Sequence, residues 1–119
     1  MFGPSEAAEN AALRRAFVET CAAENISCMG FAQMPPGDDR SFVKAGVPTI
    51  SIGIIPAVEA HQLWLMMNAG PNSGLAPGTA PSIMKTLHTI EDTPDKLSEE
   101  TMSRMQRFAL ALVRSVARR

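Results

Sequence analysis

Apolar residues fall at helical spacing near both ends of the chain and at strand-like spacing between them. Leu13, Phe17 and Cys21 recur every four positions, which predicts an amphipathic helix running from Ser5, a suitable cap, to about Glu24. Asn25 suits the left-handed residue that ends such a helix. "ISCMGFA", Ile26 to Ala32, reads as a strand, and "MPPGDD" breaks the chain after it. Asp38 or Asp39 can cap a short helix, "RSFVKA", closed by Gly46. "VPTISIGII", Val47 to Ile55, is the clearest strand pattern. Its near-continuous apolar character suits a strand covered on both faces, as in a parallel sheet.

Strand, helix and strand in this order predict a βαβ unit with a right-handed crossover. "AVEAHQLWLMMN" follows as a helix on the sheet, and "AGPNSGLAPGTAPS" as a Gly/Pro-rich loop without repeat or P-loop spacing. A third strand is expected near Ile83 to Leu87. The last helix starts at Ser98, with Glu99 and Glu100 at its positive end and Arg114, Arg118 and Arg119 at its negative end. Met102, Met105, Ala109, Leu112 and Val116 form its expected buried stripe. The predicted class is α/β: a partial three-layer α/β/α arrangement with a mostly parallel sheet and no internal domain boundary.

Composition narrows the function classes. The chain has 119 residues, 45% of them apolar and 19% charged, enough to bury a core. Its formal net charge is -1 with no large basic cluster, so nucleic acid is not an expected partner. No apolar run approaches the roughly 18 residues of a membrane span. "MFGPSEAAENAALRR" lacks the pattern of a signal peptide, which makes the cytoplasm the default expectation. Cys21 and Cys28 are spaced so that a disulfide can form, but two small buried thiols are the preferred reading. Paired C-x-x-C spacing, as in a zinc ribbon, does not occur.

The candidate chemistry is sparse. Of the two histidines, His61 lies inside a predicted helix with no second ligand four positions on. The Glu99-Glu100 pair is explained by the helix dipole. The eight methionines are core fillers. Asp38 and Asp39 read as a helix cap, with a substrate-side role as the sharper alternative. His88 taken alone is a loop histidine. No Ser-His-Asp order, H-E-x-x-H or glycine-rich phosphate loop is present.

The order of the pieces carries more than any one of them. "GDDRSFVKAGVPTISIG", then a variable loop, then "LHTIEDTPDKLSEETMSRMQRFALALV" resembles the C-terminal part of zinc-dependent exopeptidases. These are the aminopeptidases of the aminopeptidase S and aminopeptidase Y type, related to glutamate carboxypeptidase and glutaminyl cyclase. Members typically show S-D-H-x-x-F, then A-G-[IV]-P leading into a strand, then H-T-x-x-D-T, then a final amphipathic helix. The resemblance covers about Asn25 to Val116 and rests on the ordered set. It implies that His88 is a ligand of one of two zinc ions, with Thr89, Asp92 and Thr93 shaping its loop. A neutral imidazole on a loop is well suited to that task. Asp38 keeps the family's aspartate, while Asp39 stands in place of its histidine. Phe42, Ala45, Gly46 and Pro48 match.

The family's remaining site residues, an H-x-D motif, a Glu-Glu pair after a strand and a further acidic ligand, come before this part and have no counterpart here. Catalytic zinc takes about three protein ligands and an open position for water. Residues 1–119 are therefore expected to form a single, truncated zinc-exopeptidase-like domain. The intact domain would bind a peptide and cleave its N-terminal bond with metal-activated water; this chain alone would be inactive. Such a family is often secreted or periplasmic. The alternative expectation is a non-catalytic α/β module that binds a partner or self-associates through an exposed sheet edge.

Overall fold

Two helices meet around a pair of phenylalanine rings. α1 spans Ala11–Ala23 and α5 spans Glu99–Ala117 in the computed structural model, which describes residues 10–30 and 37–119. Phe17 of α1 and Phe108 of α5 pack edge to face, with centroids 5.7 Å apart and planes at 74°. That geometry sets the positive edge of one ring against the negative face of the other. Ala16, Cys21 and Leu112 complete the buried cluster, and Ile26, Cys28, Ile50, Ile52, Ile54 and Met105 pack half-buried around it. Between the two long helices lie α2 (Arg40–Lys44), α3 (Ala57–Ala69) and α4 (Ser82–Thr86), with short 3-10 turns at Gly70–Asn72 and Pro94–Lys96.

The ends of α1 and α5 follow from local sequence. Asn25 has φ 52°, the left-handed conformation expected of it. The Asn25 amide donates to the Ala22 carbonyl at 3.2 Å, and the Ile26 amide to the Cys21 carbonyl at 2.9 Å. This pair of bonds is a Schellman motif, which satisfies carbonyls that the helix end would leave orphaned. The buried Thr20 hydroxyl donates to the Ala16 carbonyl at 2.7 Å. At α5, the Thr101 amide donates to Ser98 Oγ at 3.3 Å, and Glu99 and Glu100 occupy the first turn. Ser5 lies outside the described residues. The described α1 begins after Asn10, whose Oδ1 accepts from the Thr49 amide at 3.1 Å rather than from its own helix.

The expected sheet does not form among the described residues. Ile26–Gly30 and Val47–Ile55 run without strand hydrogen bonding apart from isolated bridges at Met29 and Gly53, and no strand occurs among the described residues. The mostly parallel sheet, the βαβ unit and the three-layer α/β/α class are thereby overturned. Ala32, at the end of the first expected strand, lies outside the described residues. The physical reason is that an apolar β-branched run signals burial of an extended segment, not pairing. Ile50, Ile52 and Ile54 alternate as in a strand, but they spend that face on the Phe17–Phe108 cluster. The third expected strand, Ile83 to Leu87, is mostly α4. Pro81 precedes it at φ -55°, close to the value a helix start requires.

Two further expectations change. Cys21 and Cys28 form a disulfide rather than two thiols. The left-handed turn at Asn25 reverses the chain and brings their Cα atoms to 6.2 Å, within bridging range. The buried face of α5 keeps Met105 and Leu112 of the expected stripe but centres on Phe108, which the stripe left out. Phe108 is its most buried residue, whereas Met102 is 55% and Val116 38% exposed. The cause is α1, whose Phe17 approaches α5 at Phe108. No described helix is long and apolar enough to cross a membrane.

Candidate functional site

The turn that carries His88 is built from threonines. α4 ends with the Leu87 amide donating to the Ile83 carbonyl at 2.9 Å. His88 follows at φ 62°, a left-handed conformation uncommon outside glycine, asparagine, aspartate and histidine. The chain then folds back on itself. The Thr89 amide donates to the Thr86 carbonyl at 3.0 Å, and the Thr89 hydroxyl donates to the same oxygen at 2.6 Å. The Glu91 amide donates to Thr89 Oγ1 at 3.1 Å, and the Asp92 amide to the Thr89 carbonyl at 3.1 Å. Thr89 thus spends its side chain on shaping the turn. His88, Thr89 and Asp92 are all exposed.

Glu59 fixes the other end of α4. One carboxylate oxygen accepts from the Ser82 hydroxyl at 2.6 Å and the other from the Ser82 amide at 3.2 Å. These bonds tie α3 to the first turn of α4, and so to the turn that follows it. No pattern in the sequence announces this pair, which lies 23 positions apart.

Asp38 and Asp39 sit in a separate turn before α2. Asp39 is the N-cap residue, but its side chain makes no capping bond; its Oδ1 instead accepts from the Gly37 amide at 3.2 Å. Asp38 is exposed and Asp39 half-buried. Gly46, at φ 74°, closes α2 as expected. His61 lies on an exposed part of α3, with Nδ1 3.0 Å from the Ala57 carbonyl.

A zinc ion in a catalytic site takes about three protein ligands. Among the described residues, no group of three or more His, Cys, Asp or Glu side chains comes together to hold a metal. Thr89 is engaged in its turn, and the side chains of Asp38 and Asp39 lie on a different segment. The described residues do not by themselves bring together the ligand set of such a site. A groove of about 940 Å³ lies elsewhere, between α1 and residues 26–30 beside the disulfide. Its walls are mainly apolar, with Arg14, Arg15 and Glu19 among its lining residues. No family model, curated protein or solved structure matches the chain.

Proposed function

We propose that this chain is the C-terminal part of a zinc-dependent, aminopeptidase-like hydrolase, to which it contributes His88, and that it does not cleave peptides on its own. The observation that carries the reading is the His88 turn. The H-T-x-x-D-T order folds into a hydrogen-bonded turn that leaves the imidazole in solvent instead of packing it in the core. An exposed histidine at a left-handed position gains nothing from burial there, so its value lies in what it can reach. The amphipathic α5 supports the same reading. Asp38, Asp39 and Asp92 would line the substrate side or support the turn.

Titration with zinc, alongside an assay on aminoacyl anilides, tests the proposal. The chain should bind zinc weakly, lose that binding in His88→Ala but not in His61→Ala, and show no turnover. Equal loss of zinc in both variants, or turnover by the 119-residue chain, would overturn it.

A further inference from the structure

Asn25, Ile26 and Ser27 spell N-I-S, the N-x-[ST] acceptor pattern for an N-linked glycan. None of the other asparagines, Asn10, Asn68 and Asn72, has a hydroxyl residue two positions on. Three residues are a weak pattern alone, and their place in the fold decides what they are worth. They sit in the turn that leaves α1. Asn25 and Ser27 are exposed, as are Ala22 and Ala23 before them, while Ile26 packs half-buried against the core. Asn25 holds φ 52°, and the bonds that close the turn run from the Asn25 and Ile26 amides to the Ala22 and Cys21 carbonyls. Those bonds come from the backbone, so a glycan on the Asn25 carboxamide displaces none of them. The left-handed position accounts for an asparagine at 25 but asks for no hydroxyl at 27.

The second observation is the disulfide. Cys21 and Cys28 bracket the tripeptide and are bonded to each other. Such bonds form and persist in oxidising compartments and are rare where glutathione keeps thiols reduced. N-linked glycans are added on that same oxidising side of the secretory membrane. The acceptor pattern and the disulfide therefore point, by separate chemistry, to one compartment.

We propose that Asn25 is an N-glycosylation acceptor, modified in an oxidising secretory compartment. The co-reactant is a lipid-diphosphate-linked oligosaccharide, brought by an oligosaccharyl transferase. The Asn25 side-chain nitrogen forms a bond to the anomeric carbon of the sugar. The bond from that carbon to the diphosphate oxygen breaks, and the lipid diphosphate leaves with its electron pair. One amide proton passes to a carboxylate base of the transferase. The glycan then projects from the exposed turn, on the other side of Ile26 from the Phe17–Phe108 cluster. The inference does not rest on the zinc reading.

Secretion of the full chain from yeast behind a cleavable leader tests it, read by intact mass and peptide mapping. Most molecules should carry one glycan, and an amidase that releases N-linked glycans should remove it, leaving aspartate at that position. Ser27→Ala and Asn25→Gly should each abolish the glycan, whereas Ser27→Thr should keep it. Glycine suits the left-handed turn, so loss of the glycan in Asn25→Gly is not a folding defect. The glycosylated chain should retain the Cys21–Cys28 bond and its helix content by circular dichroism. A secreted wild-type chain without glycan, a glycan that persists in Ser27→Ala or Asn25→Gly, or a glycosylated chain that has lost the disulfide would overturn the proposal.

Discussion

Glu59 of α3 grips Ser82 of α4 through both carboxylate oxygens, one on the hydroxyl at 2.6 Å and one on the backbone amide at 3.2 Å. A helix of five residues cannot hold itself together in water, because nucleation costs more than so few bonds return. α4 therefore depends on this external cap. It replaces the capping side chain that Pro81, at the N-cap position, lacks.

Removing the grip should loosen α4 and the His88 turn together. Glu59→Ala is expected to destabilise the chain by about 1 kcal/mol, the usual cost of a lost helix cap. Glu59→Gln, which keeps one acceptor oxygen, should cost less. Hydrogen exchange at the Leu87 and Thr89 amides, both bonded back into α4, reads the local effect. Unchanged protection there in Glu59→Ala would mean that α4 is held by something else.

The disulfide closes a short loop around a left-handed turn. In the chain-entropy account, a loop of this size contributes about 2–3 kcal/mol by restricting the unfolded chain. Cys28→Ala should lose about that much in a urea melt under oxidising conditions. In excess reductant the wild-type curve should move toward that of the variant. If the two differ as much with reductant as without, the bond is absent in solution and the thiol reading returns.

Elements governed by local chemistry were the most legible in the sequence. Asn25 as the left-handed end of α1, Gly46 after α2 and Ser98 as the cap of α5 each follow from one residue's own preference, and each stands where expected. α3 was equally plain, spanning Ala57–Ala69 as an unbroken apolar-rich run after Pro56. The strands failed because alternation reports which side of an extended segment is buried, while hydrogen-bond partners come from elsewhere in the chain. Ile50, Ile52 and Ile54 satisfy the alternation against α1 and α5 without a neighbouring strand. α4 failed in the other direction, since a tertiary contact from Glu59 decides it. Of the site, the His88 turn was legible as a motif. Its left-handed backbone and threonine bonds were not, because they depend on how α4 ends.

The core face of α5 makes a quantitative contrast. Phe108 is fully buried against Phe17, whereas Met102, on the expected stripe, is 55% exposed. Phe108→Ala should cost about 3–5 kcal/mol, a large part of the 5–15 kcal/mol typical of a small domain. Met102→Ala should stay within about 0.5 kcal/mol. Urea melts on both variants decide it. Comparable losses at the two positions would place Met102 in the core after all.

His88 occupies a backbone position that a glycine would hold more easily. Its φ of 62° brings Cβ close to the following carbonyl, at a cost of about 1–2 kcal/mol for most side chains. Histidine tolerates the region better than most, and glycine gains unfolded-state freedom that offsets part of the relief. His88→Gly should therefore stabilise the chain by up to about 1 kcal/mol, and His88→Val, with its branched side chain, should destabilise it. The same glycine substitution removes the imidazole, so it should also abolish zinc binding. A variant that becomes more stable while losing metal affinity would mark His88 as a residue kept for its chemistry at the expense of the fold. If His88→Gly lowers stability instead, the imidazole makes contacts that hold the turn together, and the argument from its exposure to a role in binding metal fails.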